Sequence, residues 1–403
     1  MNFTDTIDRG PKRSGHDARM PRASAETNHA PSAAVLASPF TALGLSPAIV
    51  RAIVDEGYET PTPVQTEVVP RALLGRDVLA GAQTGTGKTA AFVLPILQHI
   101  AESKRTGEIR ALILTPTREL AAQIAERISA YGRFLDVRHA VIYGGVSQRP
   151  QEEAMRRKPD ILVATPGRLL DLMQQGFVRL DGVTHFVLDE ADRMLDMGFI
   201  HDVRRVVVKL PKERQTLFFS ATIAPAIESL AQSMLELPIR VAIAPKVTTA
   251  EGVDQIILFV EQADKRATLE RLLSRPEFTR TIVFTRTKHG ANRLCQQLER
   301  AGIRALALHG NKSQGARERA LGGFRDGSLP VLVATDVAAR GIDVDGVSHV
   351  VNYEIPNIPE SYVHRIGRTG RAGAVGLAVS LVGSDERAYL SDIERLIKKE
   401  IPL

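Results

Sequence analysis

Three short runs in this chain combine residue types at spacings suited to phosphate chemistry. Ala82-Gln83-Thr84-Gly85-Thr86-Gly87-Lys88-Thr89 lies between an apolar run, Asp77 to Ala80, and a helical pattern from Thr89 to Ile100. A glycine-rich turn between a strand and a helix aims backbone N–H groups at phosphates, and the helix N-terminus adds partial positive charge. Lys88 is placed for the β- and γ-phosphates of a nucleotide and Thr89 for Mg2+. The general pattern has glycine where this chain has Ala82. Asp189-Glu190-Ala191-Asp192 follows Phe186-Val187-Leu188. Acids at the exit of a buried strand can hold a cation and a water. Asp189 suits the metal side, and Glu190 suits orienting and deprotonating the water. The third run, His364 to Arg371, is the densest basic motif in the chain. A basic cluster is most often a solvated face, but Gly367 and Gly370 punctuate this one, which a merely solubilising helix does not need.

These runs must be positioned by regular elements. From about residue 40, short runs rich in Val, Ile and Leu alternate with helical stretches. Ala111 to Leu114 precedes Arg118 to Ile128, Ile161 to Ala164 precedes Gly167 to Met173, and His185 to Leu188 and Thr216 to Phe219 continue the series. Continuous apolar strands separated by helices predict a parallel sheet covered on both faces. A second series has strands at Ile282 to Phe284, Ala305 to Leu308, Val331 to Ala334 and His349 to Asn352. Leu162-Val163-Ala164-Thr165 and Leu332-Val333-Ala334-Thr335 repeat four residues, one copy in each half, and the two halves share one strand–helix rhythm. The expected organisation is a disordered segment over 1–38, an α/β domain over 39–245, a polar linker at 246–252 and a second α/β domain over 253–403.

The length of 403 residues suits two domains, and 44% hydrophobic with 24% charged residues is a globular composition. No apolar run is long enough to span a bilayer. Cys295 is the only cysteine, which excludes an intrachain disulfide and fits a reducing compartment, the cytoplasm. Cys295 reads as a small buried hydrophobe. Lys and Arg total 52 against 46 Asp and Glu, a net charge of +6 that permits a polyanionic partner. Tryptophan is absent and aromatics make up 5%. Reading bases by stacking uses interleaved aromatics, so a nucleic acid here would be gripped by its backbone.

Taken together and in this order, the motifs resemble those of the DEAD-box RNA helicases, from Phe40 to near the C-terminus. Arg193 to Asp202 and Thr285 to Asn292 are most similar to the bacterial RhlE-type subgroup. The resemblance implies two tandem RecA-like domains that close around ATP, Mg2+ and an RNA strand. Phe40 and the segment Gly57 to Gln65 look like the adenine-reading element, with Gln65 pairing to the base and Tyr58 packing on its ring. Asp343 looks like the ribose contact, and Arg368 and Arg371 look like arginine fingers for the γ-phosphate.

By the same resemblance, RNA falls to Pro116, Thr117, Arg118, Gly144, Gly145, Thr165, Pro166, Gly167 and Arg168 in the first domain. In the second it falls to Arg286, His309, Gly310, Gln314, Arg317, Thr335 and Asp336. Hydroxyls, arginines and helix N-terminal N–H groups are phosphate ligands, so contacts should go mainly to the sugar-phosphate backbone. Asp192, Ser220, Thr222, His364 and Arg365 are implied to couple the nucleotide and RNA faces. A cytoplasmic monomer working in ribosome assembly or RNA decay is the family expectation. A DNA-directed helicase and an ATP-gated RNA clamp with little unwinding would use the same engine.

Overall fold

The computed structural model describes residues 33–82, 85–242, 253–339, 344, 346–370 and 375–403. The expected linker at 246–252 lies outside the described residues, as do Gln83, Thr84, Asp343, Arg371 and the segment before residue 33.

Two wholly parallel sheets organise the chain. The first contains β1 (Val78–Gly81), β2 (Ala111–Leu114), β3 (His139–Ile142), β4 (Ile161–Ala164), β5 (His185–Leu188), β6 (Gln215–Ser220) and β7 (Ile239–Ala242). Its spatial order is β3-β4-β2-β5-β6-β1-β7. The second contains β8 (Val253–Phe259), β9 (Thr281–Phe284), β10 (Ala305–Leu308), β11 (Val331–Ala334), β12 (His349–Asn352) and β13 (Gly376–Val382), in the order β10-β11-β9-β12-β13-β8. This is the tandem RecA-like α/β architecture read from the sequence.

The continuous apolar strands are buried on both faces, which is why they lack alternation. Ala111 and Ile113 of β2 pack into one core layer, and Leu112 and Leu114 pack into the other. In the second sheet Val283 faces one layer while Ile282 and Phe284 face the other. Parallel strands bring every carboxyl end to one edge of each sheet, the edge where open α/β sheets bind ligands. The first two motif runs lie at such an edge, whereas Thr369 of the third donates to Val347 O and Ser348 O just ahead of β12. Helices start cleanly after strands because threonine caps them. Thr117 Oγ1 accepts from Leu120 N at 3.4 Å and Thr287 Oγ1 from Gly290 N at 3.0 Å, satisfying N–H groups that the first helical turn leaves bare.

The expected disordered stretch through residue 38 runs too far. Ala33–Ala37 is a helical turn, and Val35 is buried in the core of the first sheet, with its carbonyl accepting from Thr41 Oγ1. Val35 alone docks it, since Leu36 is exposed. Strands β3, β7, β8 and β13 were not expected. Beside β8, Pro402 O accepts from Ile257 N at 2.8 Å, so the C-terminal residues line that sheet edge. Cys295 is half-buried against the second core, where burial pushes its thiol up to about 12. No helix among the described residues is long and apolar enough to cross a membrane.

Candidate functional site

The loop after β1 leads into the helix Lys88–Glu102 through Gly87, whose φ is +91°. A Cβ at Gly87 would lie 2.5 Å from Gln65 Nε2 and 2.8 Å from Thr62 Oγ1, so only glycine lets those side chains pass. Lys88 opens the helix with 6% exposure, and its Nζ has no hydrogen-bond partner among the described residues. Thr89 follows, half-buried. A buried, unpartnered ammonium is costly unless an anion meets it. Ala82 is buried at the strand exit, Gly85 is exposed, and Thr86 is half-buried.

Asp189 and Glu190 leave β5 beside this lysine, with 2% and 6% exposure. Asp189 Oδ1 accepts from Glu190 N at 3.0 Å. Burial pushes the Asp189 carboxyl up to about 7, against the pull of Lys88. Glu190 is also raised by burial, but Arg193, Lys88 and Arg368 together outweigh it and hold its carboxyl below the usual range. Arg193 NH1 donates to Glu190 Oε2 at 2.9 Å. Glu190 has a left-handed backbone, φ 50° and ψ 52°, costing roughly 1–2 kcal/mol for a non-glycine residue. Strain of this kind collects at functional positions. Arg368 belongs to the other sheet's half of the chain, is nearly buried, and donates from Nε to His364 O at 3.1 Å. Its charge acts on Glu190, so the second half of the chain meets the carboxyl edge of the first sheet here.

The expected adenine-reading residues are placed differently from one another. Gln65 is fully buried. Its Oε1 accepts from Thr62 N at 3.0 Å and its Nε2 donates to Gly87 O at 3.2 Å. Its amide therefore ties the cap of the helix Pro63–Leu73 to the phosphate loop, and keeps one N–H and one lone pair beyond these bonds. Phe40 is 0% exposed and meets Tyr58 edge-on, with ring centroids 6.4 Å apart. A ring without exposed surface supports Tyr58 from behind. Tyr58 is half-buried, with its hydroxyl 2.8 Å from that of Tyr131.

Asp192, Ser220 and Thr222 meet where β5 and β6 end. Thr222 donates to Asp192 Oδ2 from N at 3.1 Å and from Oγ1 at 3.3 Å, and Asp192 N donates to Ser220 Oγ at 3.2 Å.

The carboxyl ends of β2, β3 and β4 collect the next group. Pro116, Thr165 and Pro166 are buried at helix starts, Thr117 caps its helix, Gly144 and Gly145 line the turn after β3, and exposed Gly167 lies in the first turn of the helix Pro166–Gln174. Arg118 lies over Gly145, where an added Cβ would fall 2.0 Å from its NH1, and the φ of +76° there also favours glycine. Arg168 NH2 donates to Val146 O at 3.4 Å, tying the β4 turn to the β3 turn.

In the second half, Arg286 is partly exposed beside Tyr389, its guanidinium 5.8 Å from the ring centroid, and its NH2 lies 3.4 Å from Glu386 Oε1. Gly310 is exposed and Thr335 is buried at a helix start. Four of the side chains expected at RNA are engaged within the protein. His309 is 2% exposed, its Nε2 3.0 Å from Asn292 Oδ1. Arg317 donates from Nε to Glu119 Oε1 at 2.7 Å and from NH1 to His309 O at 3.1 Å. Gln314 bonds Glu318 and accepts from Arg118 NH1 at 3.4 Å. Asp336 holds Arg365 in a two-pronged pair, 2.5 and 2.8 Å, and its negative charge would repel phosphate. Arg365 is buried and also donates to Asn352 and Glu354, while His364 is half-buried on the same helix.

Two participants were not singled out from the sequence. Arg193 follows Glu190 by three residues, a helical contact spacing that marks it in retrospect. Glu119 meets Arg317 from 198 positions away, and no local signal announces that pairing.

Comparison with known proteins agrees with this geometry. Residues 62–230 match the DEAD/DEAH box helicase family and residues 264–373 the helicase conserved C-terminal domain. The ATP-dependent RNA helicase CshA of Limosilactobacillus reuteri is 44% identical over 365 residues, covering 90% of this chain and 73% of that protein. Among solved structures, S. cerevisiae Dbp5 bound to RNA and ADP BeF3 has a TM-score of 0.81 at 34% identity, covering 90% of this chain and 94% of that one. A DEAD box protein from Methanococcus jannaschii has higher identity, 39%, over 90% of this chain and 98% of that one, but a TM-score of only 0.53. Chain similarity and whole-molecule superposition are thus decoupled, as expected when two similar domains are arranged differently. The chain belongs to the DEAD-box ATP-dependent RNA helicases.

Proposed function

We propose that this protein couples ATP binding and hydrolysis to local unwinding of RNA duplexes or remodelling of ribonucleoprotein. The observation that carries the reading is the convergence of Lys88, Asp189 and Glu190 from one sheet with Arg368 from the other. Such a site is complete only when the two halves are together, so whatever closes them turns on hydrolysis.

Lys88 binds the β- and γ-phosphates, and Glu190 orients and deprotonates the attacking water. Arg193 holds the Glu190 carboxylate in place. Arg368, with Arg371 assigned by resemblance, meets charge developing on the γ-phosphoryl oxygens, a contribution of roughly 10³–10⁵ in rate for such arginines. Asp343 takes the ribose by the same resemblance. The Thr89 hydroxyl and Asp189 carboxylate are hard oxygen donors that fit Mg2+, a cation commonly held by one or two protein oxygens plus substrate phosphates. When bound, Mg2+ neutralises phosphate charge.

RNA runs along the carboxyl edges, against Thr117, Arg118, Gly144, Gly145, Gly167 and Arg168 on one side and Arg286 and Gly310 on the other. The Asp192–Thr222 bonds link that face to the nucleotide. The domains divide at 246–252, with the first beginning just before Val35. The protein acts as a cytoplasmic monomer, and the runs at Arg193 and Thr285 support an RhlE-type assignment. The test is steady-state ATPase with no nucleic acid, with single-stranded RNA and with DNA of the same sequence. RNA should raise turnover at least about tenfold and DNA should not. Equal stimulation by DNA, or none by RNA, would overturn the reading.

A further inference from the structure

The helix Lys288–Arg300 follows β9 directly after Arg286, and its buried side is Ala291, Leu294 and Leu298. At 100° per residue, the opposite crest is His289, Arg293, Gln296 and Arg300, and all four are exposed. Arg304 comes four residues later, just ahead of β10, while Lys288 and Lys312 flank the start of the crest around His309; Arg304 and Lys288 are exposed and Lys312 is half-buried. Most arginines among the described residues are paired with a carboxylate or a carbonyl. Lys288, Arg293, Arg300, Arg304 and Lys312 have no ion pair among the described residues.

The nearby carboxylates do not cancel this charge. Glu354 Oε2 already accepts from Arg286 N at 2.7 Å, Glu270 is paired with Arg266 at 2.9 Å, and Glu299 lies off the crest. The start of the track is electropositive. His309 is lowered first by burial and then by Lys312, Arg317, Lys288 and His289 around it. From His289 to Arg300 the crest is about 16 Å long at 1.5 Å per residue. That is room for several nucleotides of a stacked strand at about 3.4 Å each.

We propose that this crest is an auxiliary RNA-backbone surface that carries the flanking strand away from the cleft, from Lys312 and Lys288 along His289, Arg293 and Arg300 to Arg304. The proposal rests on the helicase reading above. Unpaired guanidinium groups suit phosphate oxygens, which they can grip two at a time. The crest residues offer no apolar anchor of the kind that protein interfaces are built on. Contacts of this type carry no base preference, so the surface adds affinity in proportion to RNA length and not sequence.

The experiment compares the intact protein, the double variant Arg293→Glu/Arg300→Glu and a control of equal charge change, Arg157→Glu/Arg179→Glu, whose side chains are 75% and 84% exposed on the first domain. RNA-stimulated ATPase is titrated with an RNA just long enough for the cleft, about 8 nucleotides, and with one of about 30, at several salt concentrations. For the crest variant the half-saturating concentration of the long RNA should rise about tenfold or more and the log–log salt slope should fall by about 1–2. Its values with the short RNA, and its maximal rate with both, should match the wild type. An unchanged long-RNA titration, equal weakening on the short RNA, or equal weakening by the control would each overturn the proposal. Failure of either RNA to stimulate the wild-type protein would instead bring down the helicase reading and this surface with it.

Discussion

Arg317 Nε donates to Glu119 Oε1 at 2.7 Å across the junction of the two sheets, with both side chains about nine-tenths buried. The two residues belong to different halves of the chain, so their bond exists only in this mutual arrangement. Arg118 and Gln314 add a second contact beside it. Removing one partner of a buried pair leaves the other charge uncompensated. Arg317→Ala should cost closure on the order of 2 kcal/mol, or roughly 30-fold in the closing equilibrium. Interdomain fluorescence transfer at saturating ATP and RNA reads it directly. The reversed pair Glu119→Arg/Arg317→Glu should recover part of the loss. A wild-type transfer efficiency in Arg317→Ala would show that the pair does not hold the halves together.

At the nucleotide, three substitutions should separate. Lys88→Ala should weaken ATP binding and abolish turnover. Glu190→Gln should bind ATP normally, lose about 10²–10⁴ in turnover and accumulate the closed ATP–RNA complex. Arg193→Ala should bind ATP normally and lose turnover by a smaller factor, because the carboxylate is still present but no longer held. Near-normal ATPase in Glu190→Gln would remove the base from the account.

Much of this was legible in the sequence, for one physical reason. A strand buried on both faces reads as an unbroken apolar run, so β2, β4, β5, β9, β11 and β12 were visible with near-correct ends, and the half-exposed edge strand β10 was visible because its sequence is apolar throughout. Once the strands are parallel, the residues after each must share an edge. The misses follow the same logic in reverse. Half-exposed β8 alternates as Val-Asp-Gln-Ile, edge strands β3 and β7 are half-exposed and carry His139 and Arg240, and β13 carries Gly376 and Ser380. Nothing local reveals that Gln65 spends its amide on Gly87, that Asp336 is held by Arg365, or that Glu119 waits for Arg317. Such partners are fixed only when distant segments pack.

Gln65 gives a test that separates support from recognition. Losing its amide removes a capping bond worth about 1 kcal/mol and frees the Gly87 carbonyl. If the amide also reads adenine, the intact protein should hydrolyse ATP far better than GTP, because a site built for specific hydrogen bonds rejects the mismatch strongly. Gln65→Ala should then erode that preference. A lower melting temperature with an unchanged ATP-to-GTP ratio would leave Gln65 as a support of the loop alone.

A pH effect on stability is written into the base of β5. His185 Nε2 lies 2.9 Å from His99 Nδ1, His185 Nδ1 lies 2.9 Å from Thr184 Oγ1, and Arg110 is close by. Burial, then the charges of His99 and Arg110, lower His185 from 6.5 to about 4. The unfolded chain therefore takes up a proton here that the folded chain refuses. Stability from this site is intact above pH 6.5 and falls as pH drops toward 4, by on the order of 3 kcal/mol in total. His185→Gln should flatten the melting-temperature profile across that window. An equally steep profile in the variant would place the titration elsewhere.

The central claim is that one active site is assembled from two domains, and Arg368 tests it most directly. It lies 179 residues after Asp189, and it can assist hydrolysis only when the halves are closed. The measurement is single-turnover ATP hydrolysis at saturating ATP and RNA for the wild type, Arg368→Ala and Arg368→Lys. A planar guanidinium matches the γ-phosphoryl oxygens in a way that an ammonium cannot. Both variants should therefore lose about 10³-fold or more in rate while still binding ATP and RNA. Hydrolysis by Arg368→Ala within a few-fold of wild type would contradict the two-domain site and return this arginine to an ordinary basic surface.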